Sequence, residues 1–191
     1  MTSKHFKLAS LIILLFLGFG AFAQGVSSGV YKTVGDFKTG TLSLSIDCKT
    51  ESHKINLNDF FGKSYITVVH EGKDYKFEKK DIYAYQLCNG NAYRFLSNTK
   101  EAVILNPKEQ VILYKHEMAA GKGNPKITHY YFSKDAASPI QELTIANLKA
   151  AFPDNHKFHD AIESNFKSDA DLSAYDRFHK MYKINHLLMA K

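Results

Sequence analysis

Residues 82–96 read IYAYQLCNGNAYRFL, and the fold class turns on them. Asn89-Gly90-Asn91 offers the positive φ angles that a tight hairpin turn requires, so 82–87 and 92–96 are expected to pair antiparallel. Upstream, Leu42, Leu44, Ile46 and Cys48 alternate with Ser43, Ser45 and Asp47, a period of two that sends the apolar set to one face of a strand. Glu71-Gly72-Lys73-Asp74 separates two more such runs, 65–70 and 75–78, and others follow at 102–105, 111–116 and 127–133. Short strands joined by such turns make an antiparallel meander of about seven or eight strands, arranged as an open sheet, a sandwich or a partly open barrel.

After Ser133 the period becomes helical. Ser138 before Pro139, or alternatively Thr144, is placed to cap a first helix that ends near Phe152, since Pro153 cannot continue the hydrogen-bond ladder. Asp154 or Asn155 caps a second, with Phe158, Ile162 and Phe166 at four-residue spacing. A third is expected after 168–171, with Ala174, Tyr175, Phe178, Met181, Tyr182, Asn185 and Leu188 along one stripe. The expected architecture is α+β: the β-rich part 24–135, then a cap of about three helices over 136–191.

The first residues read as a leader. Lys4, His5 and Lys7 precede the uncharged apolar run 8–19, and Ala21 and Ala23 flank Phe22, the order of a cleavable signal peptide over 1–23. The run is shorter than the ~20 residues that span a bilayer, and no second long apolar stretch follows. The mature chain, 24–191, is long enough for one domain with its own core. It is expected in a periplasm or outside the cell.

The 25 Lys and Arg against 19 Asp and Glu give a formal charge of +6, falling to +4 when Lys4 and Lys7 leave with the leader. The basic residues are interleaved with acids instead of gathered in a stripe, which argues against a nucleic-acid partner. Cys48 and Cys88 are an even pair in an oxidising compartment. A disulfide between them would close a loop of about 40 residues and contribute on the order of 3 to 4 kcal/mol. A chain of this length can also build its core without that staple.

Candidate chemistry is sparse. His156 and His159 are three apart on the second expected helix, with Asp160 and Glu163 four residues beyond them in turn, so one helical surface carries two imidazoles and two carboxylates. With His179 or His186 from elsewhere, the set His156, His159, Glu163 and His179 would supply the three or four ligands that zinc takes at about 2 Å. Asp169, Asp171 and Ser173 imitate the start of a calcium loop, but Ala174 and Lys180 stand where that loop needs Gly and Glu. Gly121-Lys122-Gly123 is followed by Asn124, which excludes a P-loop. No cofactor motif and no patterned nucleophile are present. Eleven Tyr and 14 Phe with no Trp leave an aromatic surface as the other candidate. Tyr83, Tyr85, Tyr93 and Tyr130 combine an apolar body with a polar tip suited to an extracellular or envelope ligand.

The stretches GVYKTVGDF (29–37), KDIYAY (80–85), YRF (93–95), YFS (131–133) and AFPDNHKF (151–158) resemble small secreted proteins of Bacteroidota. The resemblance implies export and a single folding unit, and it carries no activity, cofactor or catalytic residue. The functional expectation is a non-catalytic envelope or secreted binding protein, acting through the open side of its sheet or the 118–126 loop. The alternatives are a metal-binding protein using the tail histidines and a hydrolase without a sequence signature.

Overall fold

The computed structural model describes residues 27–49, 54–59, 62–118 and 125–190. The expected leader and most of the 118–126 loop lie outside them. In chain order the elements are β1 (Ser27–Tyr31), α1 (Val34–Thr39), β2 (Ser43–Asp47), β3 (Lys54–Asn56), β4 (Tyr65–His70), β5 (Lys73–Glu78), β6 (Ala84–Gln86), β7 (Ala92–Ser97), β8 (Lys100–Ile104), β9 (Ile112–Met118) and β10 (Ile127–Ser133). There follow β11 (Gln141–Glu142), α2 (Ile145–Ala151), α3 (His156–Asn165), β12 (Tyr175–Asp176), β13 (Met181–Tyr182) and α4 (Lys183–Met189).

Eight strands form an open antiparallel sheet in the order β11-β10-β9-β8-β7-β6-β1-β2. From β6 to β10 this is the expected meander, to which the short β11 adds an unexpected edge strand, and Gly90 in the β6–β7 turn adopts φ +82 as the sequence requires. Register places Val30, Tyr85, Tyr93, Val103, Lys115 and Tyr130 opposite one another across six strands. Because side chains alternate, that row and its neighbours Phe95, Leu113 and Phe132 share one face. At one end of that face the separate sheet β3-β4-β5 packs Ile66, Val68 and Phe77 against Val30, Tyr85, Tyr93 and Phe95. At the other end Leu148, Phe152, Phe158, Ile162, Leu172 and Ile184 cover Val111, Leu113 and Phe132. The helices therefore cap only part of the β-layer.

The opposite face carries Tyr31, Ala84, Ala102, Ile104, Ile112 and Tyr114. Its cover is thinner: Phe37 from α1, Tyr83, and Ala136 with Ile140 from the connection after β10. The helix α1 was not expected from hydrophobic period. Thr33 caps it by accepting from the Asp36 N–H at 3.1 Å, while Asp36 accepts from the Thr33 N–H at 2.9 Å, and this reciprocal box signals a helix start in six residues that show little periodicity.

Two of the expected helices form as read. Thr144 caps α2, which stops before Pro153, and Asn155 caps α3. The third does not form as one helix. A 3₁₀ turn at Asp169–Ser173 leads into the β12–β13 hairpin, and only then does the seven-residue α4 begin. The Asp176 carboxylate is the local cause: Oδ1 accepts the N–H groups of Phe178 and His179 at 2.9 and 3.1 Å, an alternative to helical bonding that short polar side chains offer. Phe178, placed by period on a buried stripe, is 88% exposed at the hairpin tip. Among the described residues no helix is long and apolar enough to cross a membrane.

Candidate functional site

A solvent-open cavity of about 940 Å³ lies on the thinly covered face, at the end of the sheet where the turns collect. Its floor is apolar, from Tyr31 on β1, Ile104 on β8 and Ile112 on β9, with Phe37 of α1 forming a wall. The hairpin turn at Gly90–Asn91 and the loop 107–110 complete the rim. Its volume falls in the range of small-molecule sites, and its lining mixes an apolar floor with a polar rim.

Several of these groups are fixed by the fold. Gly29 lets β1 approach β2 at a bulge, where a Cβ would stand 2.9 Å from the Ser43 carbonyl oxygen, and this positions Tyr31 two residues on. The Tyr31 hydroxyl donates to Gln86 Oε1 at 2.7 Å, and Gln86 Nε2 donates to the Ser27 carbonyl at 2.7 Å. Burial raises the Tyr31 pKa, so the phenol stays neutral and donating. The Tyr31 ring meets Phe37 edge-on at 5.4 Å.

The rim acids are turned toward the protein. Asp135 Oδ1 accepts from the Ala137 and Ser138 N–H groups, both at 2.8 Å, and the Ser138 hydroxyl bond leads these backbone bonds and nearby Lys38 in lowering its pKa. Glu109 Oε2 accepts from Asn106 Nδ2 at 3.0 Å and from the Tyr182 N–H at 3.3 Å. Lys38 and Lys108 also line the cavity, and among the described residues neither is held in an ion pair. The lysine ammonium groups at the mouth are therefore donors, over an apolar floor.

The tyrosines singled out from sequence do not gather here. Tyr85 is 1% exposed and stacks on Tyr93 at 5.2 Å beneath the three-stranded sheet. Tyr130 stands in the same cross-strand row but packs against the helical core. Tyr83 falls on the other face, because the chain becomes a regular strand only at Ala84; there the Arg94 guanidinium stacks 4.3 Å above its ring. Tyr83 and Tyr85 are core residues and Tyr93 and Tyr130 are partly buried against the core, the four split between two faces by the pleat and by the irregular entry to β6. The lining residues Tyr31, Phe37, Ile104 and Ile112 were missed because they come from distant strands, although the Thr33–Asp36 box marks the helix that walls the site.

The metal set is likewise divided. His159 Nε2 bonds the Phe152 carbonyl at 2.9 Å, and Glu163 pairs with Lys149. His156 meets His159 edge-on at 5.8 Å. Among the described residues the one group of three ligating side chains is Asp176, His179 and His186, so His179 joins partners on its own hairpin and α4 instead of α3. Cys48 and Cys88 form a disulfide. It links the end of β2 to the β6–β7 turn, the two neighbours of β1, beside the cavity rim.

No protein-family model, curated protein or solved structure matches this chain.

Proposed function

We propose that this chain is an exported, non-catalytic binding protein that takes a small amphipathic molecule, apolar at one end and anionic or acceptor-rich at the other, into the cavity between α1 and the sheet. The observation that carries this is the cavity itself, with its apolar floor of Tyr31, Ile104 and Ile112 beneath the lysine- and amide-bearing rim. Export draws support from the leader pattern at 1–23 and from the Cys48–Cys88 disulfide, a bond that persists in oxidising compartments.

The absence of Trp supplies the test, since Phe37→Trp places a lone indole in the cavity wall. Titration with 1-anilinonaphthalene-8-sulfonate, an amphipathic anion, is expected to saturate with micromolar Kd. Ala92→Glu, at the rim, should weaken binding by at least tenfold, and Lys38→Glu with Lys108→Glu by several-fold. Failure to saturate, or binding indifferent to Ala92→Glu, would overturn the assignment. Mass spectrometry of protein from the periplasm or medium should show Gln24 as the first residue; an intact Met1 on soluble cytosolic protein would remove the export claim.

A further inference from the structure

His179 and His186 belong to different elements, yet their rings stack at 3.7 Å between centroids with planes 21° apart. His179 Nδ1 lies 2.7 Å from Asp176 Oδ2. One ligand atom from each of the three residues falls within 4.8 Å of the others. We propose that Asp176, His179 and His186 form a binding site for a divalent transition-metal ion, with zinc or copper(II) as the class of occupant.

The donor chemistry is the first reason. Two imidazoles, borderline nitrogen donors, joined by one hard carboxylate oxygen make a mixed set of the kind zinc and copper take, whereas calcium and magnesium take all-oxygen sets. Three protein ligands would leave one tetrahedral position open for water or a small anion.

Preorganisation is the second. The Asp176 carboxylate is anchored by the Phe178 and His179 N–H groups through Oδ1, which leaves Oδ2 facing the imidazole. The His179 imidazole first, then those backbone bonds, hold the acid ionised with its pKa lowered to about 2. His186 is placed by α4, whose Asn185 side chain bonds both the N–H and the carbonyl of Val111 at 2.8 Å. Hairpin and helix are also joined by a Lys183 N–H to Ala174 carbonyl bond of 2.9 Å. The donors stand on two supported elements, with one ligand atom of each already within 4.8 Å of the others.

The test uses metal-stripped protein purified without an affinity tag and titrated with ZnCl2 by calorimetry near pH 7.5. The expected result is one saturable site per chain with Kd at or below the micromolar range, weakened at least tenfold by His186→Ala and by Asp176→Asn and unchanged by His156→Ala. Circular dichroism of each metal-free variant separates loss of ligand from loss of fold, and His179→Gln gives a second variant that keeps the side chain's size and polarity. Cobalt(II) should give visible d–d bands that vanish in His186→Ala. Absent saturation, or equal weakening by His156→Ala and His186→Ala, would overturn the proposal and mark the histidines as adventitious surface ligands.

Discussion

Lys79 and Asp59 are joined by an ion pair of 2.6 Å in which the lysine side chain is only 2% exposed. The ammonium also donates to the Asn98 carbonyl and stands 5.0 Å over the Phe95 ring. A buried charge so fully partnered is weak evidence of net stabilisation, but removing one side leaves the other uncompensated. Lys79→Ala should therefore destabilise the protein by about 3 kcal/mol, read as a lower urea midpoint at unchanged m-value, and an unchanged midpoint would contradict the burial.

Next to this pair, burial above all, followed by the Asp59 carboxylate, raises the Glu101 pKa to about 7, against the lowering influence of Lys79. A raised folded-state pKa means the folded protein holds a proton that the unfolded chain has already released, so stability falls as pH increases between the two values. The contribution is complete below about pH 4.5 and lost above about pH 7. Glu101→Gln should flatten that slope in denaturation measured at several pH values, and an equal slope in the variant would refute the assignment.

The disulfide closes a loop over a sequence separation of 40 and ties both neighbours of β1. On the loop-entropy account Cys48→Ser with Cys88→Ser costs about 4 kcal/mol, with loosening concentrated at the start of β1. Hydrogen exchange at Ser28 and Gly29 would show faster opening; protection equal to that of the oxidised protein would count against it.

Asn185 satisfies the Val111 backbone from a buried position 74 residues away in sequence. Asn185→Ala leaves the Val111 N–H without a partner and should cost about 2 kcal/mol, while releasing α4. Weaker zinc binding should accompany the lower melting temperature, because His186 loses its support.

Phe178→Ser tests the hairpin directly. A residue 88% exposed should change stability by less than about 0.5 kcal/mol on truncation. A loss of several times that in thermal denaturation would instead place the ring on the buried stripe of a helix.

The chain's own pattern determined its sheet. Alternation and the Asn89-Gly90 turn specify strands and an antiparallel neighbour because both act over a few residues, and Pro153 with Asn155 sets the break between α2 and α3 on the same scale. The segment 174–186 was decided by tertiary structure. Its apolar period suits a helix, which would set His179 and His186 about 10 Å apart along the axis. Asp176 breaks that period locally by capturing the N–H groups two and three residues on, and long-range bonds then hold the segment in place: Glu109 and Val111 bond Tyr182 and Asn185 across more than 70 residues of sequence. The cavity floor is likewise assembled from β1, β8 and β9, strands brought together by register. Periodicity reports which side chains share a face of one element, whereas sites made between elements depend on contacts that no local spacing encodes.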